Sequence, residues 1–379
     1  MGSFRLGAGA FADESPRLAQ LNMDTRFHAC IMAGGSGERF WPMSRARAPK
    51  HLLRLFSDRT LLEEAILRLR GVVAESNTWI LTNASQVPLI REAVPSFPPA
   101  QIVSEPEKRD TAPAASLATG LVRARDPDGV LALLPADALI GNGARFSAQL
   151  AQSLSWAGGA GRHGRELLTF AVAPTHPATG FGYLELGDEL ARGGEGSRLL
   201  RVKRFVEKPD EATARGYVAS GRYAWNAGMF VWGVRQFLAE AERAAPELAE
   251  FIRGFPAGDP AAYLSARFAR LPKISVDYAV LEKAGSVATV LADFDWEDAG
   301  AWTALSKHLP ADASGNVSRG PVVCVGTSGT VAISNGRVIA LCGVKDLVVV
   351  ETEDALLVCH KDAVQNIKSL MPLLPKDTV

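Results

Sequence analysis

The sequence predicts an α/β fold with a mostly parallel sheet, followed by a small all-β module. Three observations predict it. Short apolar runs alternate with helical patterns from residue 29 to about residue 134, the pattern of strand–crossover–strand units. Residues 130–134 are continuously apolar, as expected of a strand buried on both faces. From Asn316 onward the chain becomes a series of short β-rich runs separated by turn signals such as Ser334-Asn335-Gly336-Arg337.

In order, the apolar run 29–32 is the first predicted strand and runs into a Gly-rich stretch. Residues 61–69 read as a helix, with Leu62, Ala65, Ile66 and Leu69 on its apolar face. Residues 78–82 read as a strand, 86–94 as a helix ending at Pro95, and 101–104 as another strand. Thr111–Arg125 reads as a long Ala-rich helix stopped by Asp126-Pro127, before strand 130–134 and then Pro135-Ala136-Asp137. Residues 167–172 and 202–207 read as strands, and Gly180-Phe181-Gly182-Tyr183 as a turn leading into a further one. Trp225-Asn226-Ala227-Gly228 precedes the apolar run 229–232. Residues 237–244, 261–271 and 277–283 read as helices, the last with Ser275 as its N-cap. The β-rich runs are 322–325, 330–333, 338–341, 347–350 and 355–359, and an amphipathic helix over 363–370 follows. The expected organisation is an N-terminal disordered extension (1–24), a catalytic domain (25–308) and a C-terminal β module with its terminal helix (309–379).

The 379 residues contain 41 Lys+Arg and 41 Asp+Glu, a net charge of zero. No global field therefore argues for nucleic acid or a membrane surface as partner, and no apolar run approaches the ~18 residues of a membrane span. Residues 1–22 lack the basic and apolar segments of a signal peptide, and Met23 is an alternative initiator to Met1. The four cysteines form no C-x-x-C pair and the six histidines show no ligand spacing. We expect free buried thiols in a reducing cytoplasm and no zinc site.

The Gly-rich stretch is Gly34-Gly35-Ser36-Gly37-Glu38-Arg39, with Lys50 a short distance beyond. Glycines let backbone N–H groups approach phosphates closely, and two cations stand nearby. Glu38 after Gly37 excludes a P-loop, and Phe40 in place of a third glycine excludes a dinucleotide fingerprint. From the glycines alone, an ordinary strand-to-helix turn and a phosphate cradle both remain open. Asp137 follows a predicted strand, so it too falls where α/β sheets bind ligands.

The longer string Gly34-Gly35-Ser36-Gly37-Glu38-Arg39-Phe40-Trp41-Pro42-Met43-Ser44-Arg45 with Pro49-Lys50 resembles the signature of sugar-1-phosphate nucleotidylyltransferases, in particular the mannose-1-phosphate guanylyltransferase (GDP-mannose pyrophosphorylase) branch. The resemblance runs from about His28 to the C-terminus. It is carried as well by Glu105-Pro106-Glu107-Lys108-Arg109-Asp110-Thr111-Ala112-Pro113-Ala114, Leu134-Pro135-Ala136-Asp137, Phe205-Val206-Glu207-Lys208-Pro209, Trp225-Asn226-Ala227-Gly228-Met229-Phe230, Ser275-Val276-Asp277-Tyr278-Ala279 and Trp296-Glu297-Asp298-Ala299-Gly300. Ala138, His51 and Asp110 depart from the pattern, where His, Gln and Asn are usual.

The resemblance implies a Rossmann-like nucleotide-diphospho-sugar transferase domain and GMP transfer from GTP to mannose 1-phosphate with Mg²⁺. It assigns Asp137 and Asp298 as metal ligands, with Asp295 a competing candidate. Arg39 and Lys50 would face the leaving pyrophosphate, and Lys208 the phosphate of the sugar. Gly34, Gly35, Gly37, Arg39, Glu105 and Arg109 would line the nucleotide, with Glu105 the guanine partner. Gly182, Glu207, Lys208, Asn226 and Asp277 would line the sugar phosphate. Thr111 would cap the helix it begins, and Trp225, Trp232, Trp296 and Trp302 would pack in the core or pocket walls. A related enzyme for another sugar or base and a non-catalytic regulatory paralogue are the competing readings. No phosphomannose isomerase activity is expected, and a homodimer is implied only by the resemblance.

Overall fold

A computed structural model of the chain describes residues 24–35 and 37–378. The expected extension therefore lies outside the described residues, apart from Asp24, and so does Ser36 of the Gly-rich loop.

The first half is strand, helix, strand. β1 (Phe27–Met32) is followed by α1 (Leu61–Leu67), β2 (Thr78–Asn83), α2 (Val87–Ala93), β3 (Ile102–Glu105), α3 (Thr111–Arg125) and β4 (Val130–Pro135). These four strands pair in parallel, in the order β3-β2-β1-β4, with Ile31 opposite both Ile80 and Leu134. Their carboxyl ends therefore share one edge, carrying Gly34, Glu105 and Asp137.

A two-residue strand β5 (Leu139–Ile140) and α4 (Gly143–Ala157) come next, then β6 (Leu167–Val172), β7 (Tyr183–Arg192), β8 (Arg198–Val206), α5 (Glu211–Ser220) and β9 (Tyr223–Gly233). Helices α6 (Val234–Ala244) and α7 (Pro246–Arg253) precede β10 (Val287–Leu291) and β11 (Trp296–Glu297). The sheet continues β4-β9-β6-β10-β8-β7, with β6–β10 parallel and the other neighbours antiparallel. The result is a nine-stranded mixed sheet whose signature half is parallel.

Helices cover both faces. On one, Leu62, Ile90, Phe146 and Leu150 pack on Ile31 and Ile80. On the other, the alanines of α3 pack with Phe237, Leu248 and Ile252. The small side chains of α3 allow this close approach. A Cβ on Gly120 would lie 2.7 Å from the Phe255 ring.

Several local expectations change. α3 is capped by Asp110, whose carboxylate accepts from the Thr111 N–H at 2.7 Å, while the Thr111 hydroxyl accepts from the Val276 N–H at 2.9 Å. Thr111 thus ties α3 to the 275–279 turn instead of capping its own helix. Helices α4, α5 and α7 have no counterpart among the predicted helices. α4 hides its start behind the turn-like run Gly141-Asn142-Gly143, yet the Asn142 side chain caps it. Trp225–Gly228 lie inside β9, not before it, at an irregularity in the β6–β9 pairing where Gly228 has φ +66°. Of the cysteines only Cys30 is buried, and Cys342 is exposed, because β-rich runs at the end of the chain turn alternate residues outward.

The C-terminal segment comprises β12 (Val317–Arg319), β13 (Val322–Val325), β14 (Val331–Ser334), β15 (Ile339–Cys342), β16 (Leu347–Glu351) and β17 (Leu356–His360). β12-β14-β16 pair in parallel and so do β13-β15, with β17 closing antiparallel. Val322 opposes Ile339 and Val331 opposes Val348, so both pairings advance 17 residues (339 − 322 and 348 − 331). This is the geometry of a solenoid coil. The expected terminal helix is a 3-10 turn, Lys361–Asn366, running into Ile367–Leu370. Val317, Val331, Val348, Val364 and Ile367 form one core with Phe40, Trp41 and Trp302. The coil is thus packed directly onto the signature loop.

Candidate active site

Gly37 is held at φ +63°, and a Cβ there would lie 2.4 Å from the Lys50 Cβ and 2.6 Å from the Ser44 hydroxyl. Only glycine fits that position. At Gly34 and Gly35 a Cβ would meet nothing within 4 Å, so this backbone faces open space. The chain then makes a 3-10 turn, Glu38–Phe40, and a cis Trp41–Pro42 peptide.

Lys50 is buried and points back to the sheet edge. Its Nζ donates to Asp137 Oδ2 at 2.8 Å and to the Asp298 carbonyl at 3.1 Å, and lies 5.5 Å from the Phe40 ring centroid. A small ladder brings the two aspartates together. β5 follows Asp137 closely, β11 immediately precedes Asp298, and the two pair antiparallel, Trp296 with Ile140 and Glu297 with Leu139. Burial pushes the Asp298 carboxyl up, Lys50 and Arg39 pull it down, and the charge of Asp137 pushes it up again. Gly300 leaves room here. A Cβ on it would lie 2.6 Å from Asp298 Oδ2 and 3.4 Å from Arg39 Nη1. Asp295 stands in the turn before β11, at φ +53°, with its backbone carbonyl accepting from the Gly141 N–H.

Among the described residues no group of three or more His, Cys, Asp and Glu side chains gathers as a metal site. Two carboxylates converging beside the Gly-rich loop do fit Mg²⁺, which takes few protein ligands and completes its shell with phosphate oxygens and water. His51, beside them, is buried with Nε2 unpartnered and its pKa lowered to about 4, mainly by burial. It stays neutral and adds no charge to the site.

The second cluster forms across β6, β7, β8, β9 and the 275–279 turn. Asn226 Nδ2 donates to Asp277 Oδ1 at 3.0 Å, and the Thr169 hydroxyl donates to Asn226 Oδ1 at 2.6 Å. Lys208 Nζ pairs with Glu207 Oε1 at 2.8 Å. This partner raises the Lys208 pKa, so the ammonium is retained. Lys208 itself sits at φ +46°, a left-handed conformation unusual for a side-chain-bearing residue. A Cβ on Gly182 would lie 2.5 Å from Glu207 Oε2, so glycine there lets Glu207 lie against the backbone. Burial, and then the charge of Glu207, push Asp277 up to about 7. The cluster sets one exposed cation, Lys208, beside the buried amide of Asn226 and the buried carboxyl of Asp277, a set suited to a phosphorylated sugar.

Glu105 ends β3 on the same edge as the glycines, and burial pushes it up to about 7. Arg109 is engaged by Glu107 at 2.7 Å and by the Leu271 carbonyl at 3.4 Å. Trp225, Trp232 and Trp302 are core residues and Trp296 is a partly buried wall. Sequence reasoning missed Thr169, Gly300 and Gln365. Gln365 accepts from Arg39 Nη1 at 3.1 Å from 326 positions away, a relation that no local pattern encodes.

This arrangement has relatives. Residues 28–315 match the model of the family described as "Nucleotidyl transferase". The chain belongs to the nucleotidyl transferase family. Residues 320–374 match a second model, "MannoseP isomerase/GMP-like beta-helix domain", in keeping with the parallel coils seen there. The chain is 34% identical over 362 residues to a mannose-1-phosphate guanylyltransferase of Escherichia coli K12, covering 93% of this chain and 74% of that protein. It is 36% identical to the xanthan biosynthesis protein XanB of Xanthomonas campestris (strain B100), covering 90% and 72%. Among solved structures it resembles one from Thermus thermophilus described as a mannose-1-phosphate geranyltransferase. The TM-score is 0.81 at 34% identity, covering 92% of this chain and 99% of that one. Among the described residues no helix is long and apolar enough to cross a membrane.

Proposed function

We propose that the chain transfers GMP from GTP to mannose 1-phosphate, giving GDP-mannose and pyrophosphate. The observation that carries this is the meeting of Lys50, Asp137 and Asp298 at the edge that also bears the open Gly34-Gly35 backbone. The group transferred is assigned from the guanylyltransferase names of the curated relatives.

A phosphate oxygen of the sugar phosphate attacks the α-phosphorus in line, and the bond to the β-phosphate oxygen breaks. The electron pair leaves with pyrophosphate. No side chain becomes covalently attached, so the chain contributes placement and charge. Arg39 and Lys50 face the departing pyrophosphate, where negative charge builds. Lys208 holds the sugar's phosphate, with Glu207, Asn226, Asp277 and the Gly182 backbone against the hydroxyls. Glu105, when ionised, accepts from the guanine N1–H and N2–H₂, and Arg109 sits on the nucleotide side. Asp137 and Asp298 would hold Mg²⁺, which neutralises charge on the α-phosphate. Four free cysteines accord with a cytoplasmic enzyme. The outward apolar side chains Val323, Val325, Leu356 and Val358 support a homodimer, which light scattering tests.

The test of the activity is pyrophosphate release from a panel of nucleoside triphosphates and sugar 1-phosphates, with and without chelator. GTP with mannose 1-phosphate and Mg²⁺ is expected to be fastest. Equal or faster turnover of another pair would overturn the assignment.

A further inference from the structure

We infer that Gln365, in the C-terminal segment, is a positioning residue for the phosphate loop, acting through Arg39. The inference rests on that loop binding a triphosphate.

Arg39 has one long side chain beside a loop that faces open space, so its direction has to be imposed. One contact and one gap impose it. Gln365 Oε1 accepts from its Nη1 at 3.1 Å, and Gly300, lacking a side chain, leaves it the slot beside Asp298. Gln365 is itself placed by its neighbours Val364 and Ile367, which are buried in the core shared with Phe40 and Trp41. The loop is pinned to the same segment at two further points. Trp41 Nε1 donates to the Thr378 carbonyl at 2.8 Å. Arg45 makes a bidentate pair with Asp354, and its Nη2 also donates to Thr352 Oγ1 at 3.1 Å. Both anchors follow the 3-10 turn that carries Arg39, and of the three contacts Gln365 is the one that reaches its guanidinium. A neutral amide suits this duty. It accepts one N–H and leaves the cation's charge for phosphate, where a carboxylate would neutralise it.

The test uses full-length protein and inorganic pyrophosphate with Mg²⁺, titrated by calorimetry. Gln365→Met keeps the volume and removes the acceptor. We expect pyrophosphate affinity to fall about tenfold, the scale of one hydrogen bond to a charged group. Arg39→Ala should fall further, and Gln365→Met should add nothing in the Arg39→Ala background. In turnover, kcat/KM for the triphosphate should drop with the KM for mannose 1-phosphate unchanged. Unchanged affinity in Gln365→Met, or a full additional loss in the double variant, overturns the inference. Failure of the unmodified chain to make GDP-mannose counts against the proposed function and leaves the pyrophosphate comparison able to decide this one.

Discussion

Gly37 shows how a single residue can serve two requirements. Its φ of +63° and the 2.4 Å approach of the Lys50 Cβ both forbid a side chain. Gly37→Ala should cost about 1–3 kcal/mol from the left-handed backbone and the overlap together, read as a lower thermal midpoint. Because the displaced atom belongs to Lys50, turnover should fall as well. Asp298→Asn keeps the shape and removes a charge. We expect pyrophosphate release to fall at least about a hundredfold, the scale of losing one electrostatic group at the reacting centre. Loss of the unmodified protein's activity on chelation and recovery with Mg²⁺ should accompany it. Glu105 is the residue for pH. Its carboxyl, raised from 4.5 to about 7 by burial, keeps its proton in the folded chain where the unfolded chain has lost it. Its stabilising effect is therefore complete below pH 4.5 and is lost as pH rises through 7. In the role proposed for Glu105, guanine binding needs the ionised form, so GTP affinity should rise about tenfold between roughly pH 6 and 8. Glu105→Gln should flatten that rise relative to the unmodified chain in the same titration.

At the scale of elements, the proposed sugar-phosphate wall depends on the pairing of β6 with β9. The Thr169 hydroxyl on β6 reaches across to Asn226, which then presents its amide to Asp277. The Gly228 N–H shares the same Asn226 oxygen only at 3.3 Å, so the Thr169 bond is the shorter hold on that side chain through the irregular stretch between Thr169 and Ala171. Thr169→Val should raise the KM for the sugar phosphate about tenfold, the value of one buried hydrogen bond of about 1.4 kcal/mol. The KM for GTP should stay put, since the glycine loop follows β1, on the other side of β4 from β9 and β6. The β5–β11 ladder works in the same way for Asp137 and Asp298, bringing together two segments remote in sequence.

For the whole molecule, the C-terminal coil is part of the catalytic unit's core. Phe40, Trp41 and Trp302 bury their rings against Val331, Val348 and Ile367, and the Trp302 indole donates to the Trp41 carbonyl at 3.0 Å. A chain ended after residue 315 would expose this face as a contiguous apolar patch. We expect it to melt at a lower temperature, bind a hydrophobic dye and lose turnover. A truncated chain with native melting and activity would show that the coil is dispensable. The expected division at 309 describes where composition changes, whereas Phe40 through Arg45 belong to both parts energetically.

Sequence alone determined much of this protein. Continuous apolar runs identified β1, β4 and β6, Ala-rich helical spacing identified α3, and the motifs named most residues of both clusters, though not Thr169. Those features are local, because burial and backbone preference act over a few residues. The Asn142 cap of α4, the bulged course of β9 and the role of Thr111 were not legible, since each depends on a partner elsewhere. The 17-residue advance of the coils was also hidden, because a solenoid rung needs only small or apolar side chains at matching places. Tertiary structure alone decided how Asp298 is brought to Asp137, through the β5–β11 pairing, that Asn226 is held by Thr169, and that Gln365 reaches Arg39. Those pairings are set by strand order and by how the coil closes on the loop, and chain separations of 57 to 326 residues leave no trace in local pattern.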